Sequence, residues 1–284
     1  AALFLLIKSD ISMKDWEKSF IYTGIIGIII LYLYDNKLFL VNWNSNTIGM
    51  FSCFGIMSFI ISYKIARKKM IKIINIFFMI IALLLLLTTD NRNALMIFFI
   101  ALIGTLLINV DKIKNARIKI YSIISIVAPA FITLGINKIS KLSIIEYLTN
   151  YSEKIFGKST LLSGREEIWA ICEEYIGNSW LFGKGESLYN YMYAHNMFYS
   201  VVYFVGIIGY ILYGILMYTV FKFIITKAKE NKDIISYCCL MIFLAIFFGQ
   251  IMENVLFTSN YNIFIPYLFL SVSIGRGING KVNK

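Results

Sequence analysis

The sequence predicts an all-α fold, a polytopic helical membrane protein of about eight transmembrane helices with one long external loop. Three observations predict it. The 284 residues are 59% hydrophobic with a mean hydropathy of +0.74, far from the balance of a soluble domain. Apolar runs rich in Ile, Leu and Phe, with only two prolines in the whole chain, recur at lengths approaching the ~20 residues that cross a bilayer. The alternation of a barrel strand is absent, whereas a helix satisfies every backbone amide within its own segment, as lipid requires.

Taken in order, residues 1–7 are an apolar stub ending at Lys8. They read as the tail of a helix whose start is missing, so an N-terminally truncated chain is expected. No small-residue cleavage site follows, which argues against a signal peptide. Apolar spans then fall at 20–34, 47–63, 71–88, 93–110, 118–136, 197–221, 234–257 and 261–275. The first and last are short. With no 20–50-residue repeat and no low-complexity linker, 1–284 is expected to form a single membrane domain, interrupted by the external loop 137–196.

Basic residues orient the spans. Alternate loops carry Lys8, Lys14 and Lys18; Lys64, Arg67, Lys68, Lys69 and Lys72; Lys112, Lys114, Arg117 and Lys119; Lys222, Lys227, Lys229 and Lys232; and Arg276, Lys281 and Lys284. The other short loops hold only Lys37 and Arg92. The positive-inside rule makes the first set cytoplasmic and turns 137–196 outward. That loop holds six basic and seven acidic residues. The net charge of +11 is therefore a signature of topology and does not argue for a nucleic-acid partner. The four cysteines make no disulfide framework: Cys172 alone falls in an external loop, Cys53 in a span, and Cys238 and Cys239 near the inner face. No CxxC or His/Cys grouping suggests zinc.

Candidate chemistry concentrates in 163–209. Ser163 and Glu166 have the spacing of a capping box. Ile168, Trp169, Ile171, Cys172, Tyr175 and Ile176 follow at helical spacing, and Gly177-Asn178 closes the run. This predicts a short amphipathic helix on the outer membrane surface. Arg165 sits in its first turn, where free amides and the helix dipole favour an anion; it is either a phosphate clamp or a partner of Glu166, Glu167 or a headgroup. Leu181-Phe182-Gly183-Lys184-Gly185 reads as a tight turn, and a lone GxG is weak evidence of phosphate binding. Tyr189, Tyr191, Tyr193, Tyr199 and Tyr203 either stack on sugars or form an interfacial aromatic belt. His195-Asn196 precedes the sixth span, and an imidazole can serve as general base or as structure.

Two further groups lie outside this stretch. Asp90-Asn91-Arg92 stands at the outer end of the third span. Arg92 can reach a phosphate with two donors, pair with Asp90, or snorkel to a headgroup. Gln250, Glu253 and Asn254 share a helical face by spacing at the outer end of the seventh span. A carboxylate there faces a polar interior, as a second acid/base group or as a structural partner.

Together these pieces resemble the C-terminal part of the O-antigen ligase and polysaccharide polymerase family (the Wzy-type superfamily). Residues 90–95, Asp-Asn-Arg-Asn-Ala-Leu, are similar to its Ser-Arg-Gly-Ala-Leu opening of a span. Ser163-Gly164-Arg165 with Trp169 is similar to its Gly-Arg-x-x-x-Trp segment, followed by a Pro-Leu-Phe-Gly-x-Gly element. His195-Asn196 with Gly206-Ile207-Ile208-Gly209 is similar to its His-Asn and Gly-Ile-Ile-Gly ending. The resemblance covers about residues 75–275. It departs at Asn91, Asn93 and Trp180, which stand where Ser, Gly and Pro are usual.

The resemblance implies a membrane glycosyltransferase acting on a polyprenyl-diphosphate-linked glycan, at the outer or periplasmic face of the cytoplasmic membrane. His195 and Glu253 become the expected catalytic groups, and Arg92 and Arg165 the diphosphate ligands. Trp169, Tyr191, Tyr193 and Asn196 become the expected glycan contacts. Arginines can neutralise a leaving diphosphate without a metal, and no Asp-x-Asp pair marks the loop, so no metal or cofactor is expected. Expected partners are the lipid-linked glycan and membrane lipids, with a flippase and a chain-length regulator. Polymerisation of repeats into capsule, exopolysaccharide or O antigen is the leading reading, and ligation of the finished glycan the alternative. A transporter or flippase would show inverted repeats and polar groups at mid-bilayer, and the polar candidates instead gather at the outer face.

Overall fold

The computed structural model describes residues 12–38, 45–107, 165–186, 194–231 and 233–252, with a few isolated positions besides. The expected spans 118–136 and 261–275 and much of the expected loop 137–196 fall outside the described residues. The protein is an all-α polytopic membrane protein, with no strand among the described residues. Four helical stretches are long and apolar enough to cross a bilayer: Met13–Asp35, Ile48–Ile65, Lys69–Leu87 and Met197–Thr226. Two shorter apolar helices, Arg92–Leu106 and Ile234–Gly249, accompany them.

The chain divides into two compact units. The first contains α1 (Met13–Asp35), α2 (Ser45–Ile56), α3 (Ser58–Ile65), α4 (Lys69–Leu87) and α5 (Arg92–Leu107). α1 starts where Ser12 accepts the Asp15 amide, the orphan donor of a first turn. It extends seven residues beyond the span read from the sequence, because its polar first turns continue the helix. Its buried stripe is Trp16, Phe20, Gly24, Gly27 and Leu31. A β-carbon on Gly27 would meet the Gly55 Cα at 3.2 Å and the Ser52 carbonyl at 3.1 Å. The backbones of α1 and α2 thus touch, the close approach that small residues give membrane helices.

α2 and α3 are buried nearly throughout, from Ile48 to Ser62. Side-chain bonds tie them to their neighbours, among them the Cys53 thiol donating to the Ala94 carbonyl at 3.2 Å and Asn75 Nδ2 to Ser62 Oγ at 3.0 Å. α4 buries only the stripe Asn75, Ala82 and Leu86. Ile73, Phe77, Ile80 and Leu84 on its other face are exposed, as a lipid-facing helix requires.

The same unit includes the last turns of α7 (Met197–Asn231), from Phe221 onward, and α8 (Ile234–Gly249). Asp233 caps α8 by accepting the Ile235 amide at 3.1 Å. Phe221 meets Phe243 and Phe247 edge-on at 5.9 and 5.8 Å. α8 stops at Gly249, where the expected span ran on to 257. A β-carbon there would sit 2.3 Å from Ile97 Cδ1. Gln250 lies in a turn beyond the helix and not on its face; Glu253 and Asn254 fall outside the described residues.

The second unit contains α6 (Arg165–Ile176), the 3-10 turn Gly177–Ser179, and α7 as far as Val220, with residues 250–252. α6 buries Trp169, Cys172 and Ile176 on one stripe and ends at Gly177, whose φ of 39° halts it as the sequence predicts. The expected cap at Ser163 lies outside the described residues.

Candidate functional site

The second unit assembles its polar residues around one short stretch, Ala194-His195-Asn196. Trp169 is fully buried, and its Nε1–H donates to the Ala194 carbonyl at 2.8 Å. One turn further along α6, Glu173 accepts from the Tyr199 hydroxyl at 2.7 Å. The Trp169 and Tyr199 rings lie 6.2 Å apart. α6 is therefore held to the start of α7 by a ring contact and two hydrogen bonds.

The other side of the stretch is held as firmly. Asn196 is the N-cap of α7: its Oδ1 accepts the Tyr199 amide at 3.3 Å, while Nδ2 donates to the Ile251 carbonyl at 2.9 Å. The Met197 amide donates to the Gln250 carbonyl at 2.9 Å. That bond gives the Gln250 carbonyl, just past the last residue of α8, a partner at the start of α7. Asn196 has no exposed surface.

Between these two anchors stands His195, half-buried and at φ 50°. The left-handed region is sparsely populated by residues other than glycine. The bonds on Ala194 and Asn196 maintain it, and they fix the point from which the imidazole projects.

Arg165 is the first residue of α6 and is half-buried. It lies one turn before Trp169 on the same stripe. The thiol of Cys172, on that stripe too, is pushed up to about 12 by burial and then by the negative charge of Glu173.

The glycine-bearing turn performs a task that its sequence does not announce. α7 is interrupted at Gly206, with φ 70° and ψ −178°. The break leaves the Tyr203 and Phe204 carbonyls and the Ile207 and Ile208 amides without helical partners. Residues 180–185 supply all four. The amides of Lys184 and Gly185 donate to the carbonyls of Tyr203 and Phe204 at 2.7 and 3.0 Å. The Ile207 and Ile208 amides donate to the carbonyls of Trp180 and Leu181 at 2.8 and 3.3 Å. With the Gly183 amide given to Ser179 at 2.7 Å, three successive turn amides are committed to protein carbonyls, which leaves the turn no phosphate cradle. Tyr199 and Tyr203 are likewise committed. Both are buried, and Tyr203 donates to Glu186 at 3.2 Å, so neither forms the interfacial belt.

Arg92 belongs to the first unit. It is the first residue of α5, half-buried, after a tight reversal in which Asp90 takes φ 54°. Asn91 caps α5 by accepting the Ala94 amide at 2.9 Å, so it does the capping work of the serine usual there. Gly49 on α2 makes room for this turn, since a β-carbon would meet Asn91 Cβ at 2.7 Å.

Of the residues read from the sequence, the structure thus joins Trp169, His195 and Asn196 through the backbone of 194–196, with Arg165 on the adjoining helix. Tyr191, Tyr193 and Glu253 lie outside the described residues. Sequence reasoning missed Glu173, which shares the Trp169 stripe at i+4, and the mutual fit of Gly183 with Gly206. Among the described residues no three His, Cys, Asp or Glu side chains gather as metal ligands would.

An all-α polytopic membrane protein whose second unit braces a histidine before an apolar span, with an arginine at the start of the adjoining helix, defines a class of bilayer-embedded proteins with a polar site. Residues 77–214 match the Wzy_C family model, described as O-antigen ligase. No curated protein and no solved structure matches. The family supports a membrane enzyme that transfers glycan.

Proposed function

We propose that this enzyme polymerises polyprenyl-diphosphate-linked oligosaccharide repeats, for capsule, exopolysaccharide or O antigen, at the outer face of the cytoplasmic membrane. The observation that carries the reading is the mount of His195, braced by Trp169 on one side and by Ile251 on the other. A general base must hold its position while a proton moves.

In the reaction, His195 takes the proton of the acceptor hydroxyl as its oxygen attacks the anomeric carbon. The bond from that carbon to the diphosphate oxygen breaks, and polyprenyl diphosphate leaves with the electron pair. Arg92 and Arg165 neutralise the leaving charge, each with a planar two-pronged donor. Glu253 is the second acid/base group. Tyr191 and Tyr193 are the proposed glycan contacts. Trp169 and Asn196 serve the glycan through the loop they hold.

The test is a purified-enzyme assay with a polyprenyl-diphosphate-linked repeat. His195→Gln keeps a hydrogen-bonding group but cannot effectively accept the proton, and a rate loss of ~10²–10⁴-fold is expected. A near wild-type rate would remove the base assignment. Products that lengthen on the polyprenyl carrier support polymerisation. Transfer of finished glycan to a second acceptor, without lengthening, would make the enzyme a ligase.

A further inference from the structure

The tip of the glycine turn is apolar and outward-facing. Trp180 is 51% exposed, Leu181 40% and Phe182 75%. A surface loop has no reason of its own to show three large apolar side chains in a row to water. The backbone ladder between 180–185 and 203–208 fixes where this tip lies on α7.

Along α7, Phe204, Ile208, Ile211, Leu212 and Ile215 form an exposed apolar stripe beside the same ladder. That stripe belongs to a helix long and apolar enough to cross a bilayer. The chain sets its depth. Gly206 lies about 24 Å of helix from Lys222 and about 35 Å from Lys229, at 1.5 Å per residue. These lengths bracket the ~30 Å of a hydrocarbon core. With those lysines at one interface, the break in α7 falls at the other.

We propose that Trp180, Leu181 and Phe182 form a membrane-interface anchor. The tip enters the acyl and headgroup boundary of the leaflet at the Gly206 end of α7 and fixes the height of α6 and His195 above it. The occupant of the apolar face is bilayer lipid, because the face continues the lipid-facing stripe of the span to which it is bonded. Aromatic side chains are suited to this boundary. The break at Gly206 is tolerated at this depth because the turn satisfies the Tyr203 and Phe204 carbonyls and the Ile207 and Ile208 amides. The basic loops make this the outer leaflet, and the anchoring itself does not require the glycan-transfer reading.

The experiment places an environment-sensitive fluorophore on Phe182→Cys, and separately on Trp180→Cys, in the full chain reconstituted into phosphatidylcholine–phosphatidylglycerol vesicles. The four native cysteines are buried, so labelling favours the introduced thiol. Glu174→Cys, on the exposed side of α6, is the water-facing control. Emission at 180 and 182 should be blue-shifted relative to 174 and lost when lipids carry a spin label high on the acyl chain. Water-like emission at both tip positions would overturn the proposal. So would blue-shifted emission insensitive to the labelled lipid, which would mean that protein, not bilayer, covers the tip. Should either variant misfold, the other reads the same face.

Discussion

The backbones of Gly183 and Gly206 are pressed together. A β-carbon on Gly183 would stand 2.6 Å from the Gly206 nitrogen, and one on Gly206 would stand 2.0 Å from the Leu181 oxygen. Both residues also hold positive φ, 76° and 70°. These two glycines let the turn after α6 replace the helical hydrogen bonds that α7 gives up.

A graded series follows. Gly206→Ala meets rigid backbone and should unfold the second unit, at a cost above about 3 kcal/mol. Gly183→Ala should do nearly the same. Gly185→Ala has φ 72° but open space around it, so only the left-handed backbone is penalised, by about 1–2 kcal/mol. Thermal unfolding in detergent should rank the three in that order. Equal melting temperatures for Gly206→Ala and Gly185→Ala would show that the close approach is not maintained.

Trp169→Phe keeps most of the ring and removes one N–H. The Ala194 carbonyl is then buried without its donor, a loss of about 1–3 kcal/mol. Because that carbonyl adjoins His195, glycan transfer should fall further than the change in stability accounts for. Comparing turnover at a temperature well below both melting points checks this. Unchanged turnover would confine Trp169 to packing.

Arg165→Lys and Arg92→Lys retain charge and lose the two-pronged geometry that suits a diphosphate. Both should impair glycan transfer at matched expression. Arg165→Lys should impair it more, since its residue also begins a helix whose dipole favours anions. Normal products from both variants would make the arginines structural.

The Cys172 thiol, pushed up to about 12, is protonated through neutral and mildly alkaline pH. Alkylation requires the thiolate. Maleimide should therefore leave Cys172 unmodified in the folded protein near neutral pH and modify it after denaturation. Glu174→Cys, two residues along and exposed, should react readily. On intact cells an impermeant maleimide should label Glu174→Cys and not Lys68→Cys. The opposite pattern would reverse the proposed topology.

Legibility in the sequence tracked the range of the cause. The span at 71–88 appears as Lys69–Leu87, because a run of apolar residues between charges is a local signal. The end of α6 at Gly177 was equally local. The packing at the end of α8 was not: nothing near residue 249 shows that Ile97 packs against it or that Met197 claims the Gln250 carbonyl. The Gly-Ile-Ile-Gly run reads as ordinary helix until the carbonyls of Trp180 and Leu181 are seen beside it. Arg165, Trp169, His195 and Asn196 could be picked out by residue type. The buried tethers of Trp169 and Asn196 could not, since their partners are backbone carbonyls, which carry no sequence signature.

The brace on Asn196 also has a schedule. Its Nδ2 bonds a carbonyl 55 residues further along the chain, so that partner does not exist when Asn196 leaves the ribosome. At ~5–20 residues per second, roughly 3–11 s of synthesis separate the two. During that interval α6 can already hold Ala194 through Trp169, while the other side of His195 has nothing to grip. The candidate site matures only once α8 has been made and the chain has turned back at Gln250.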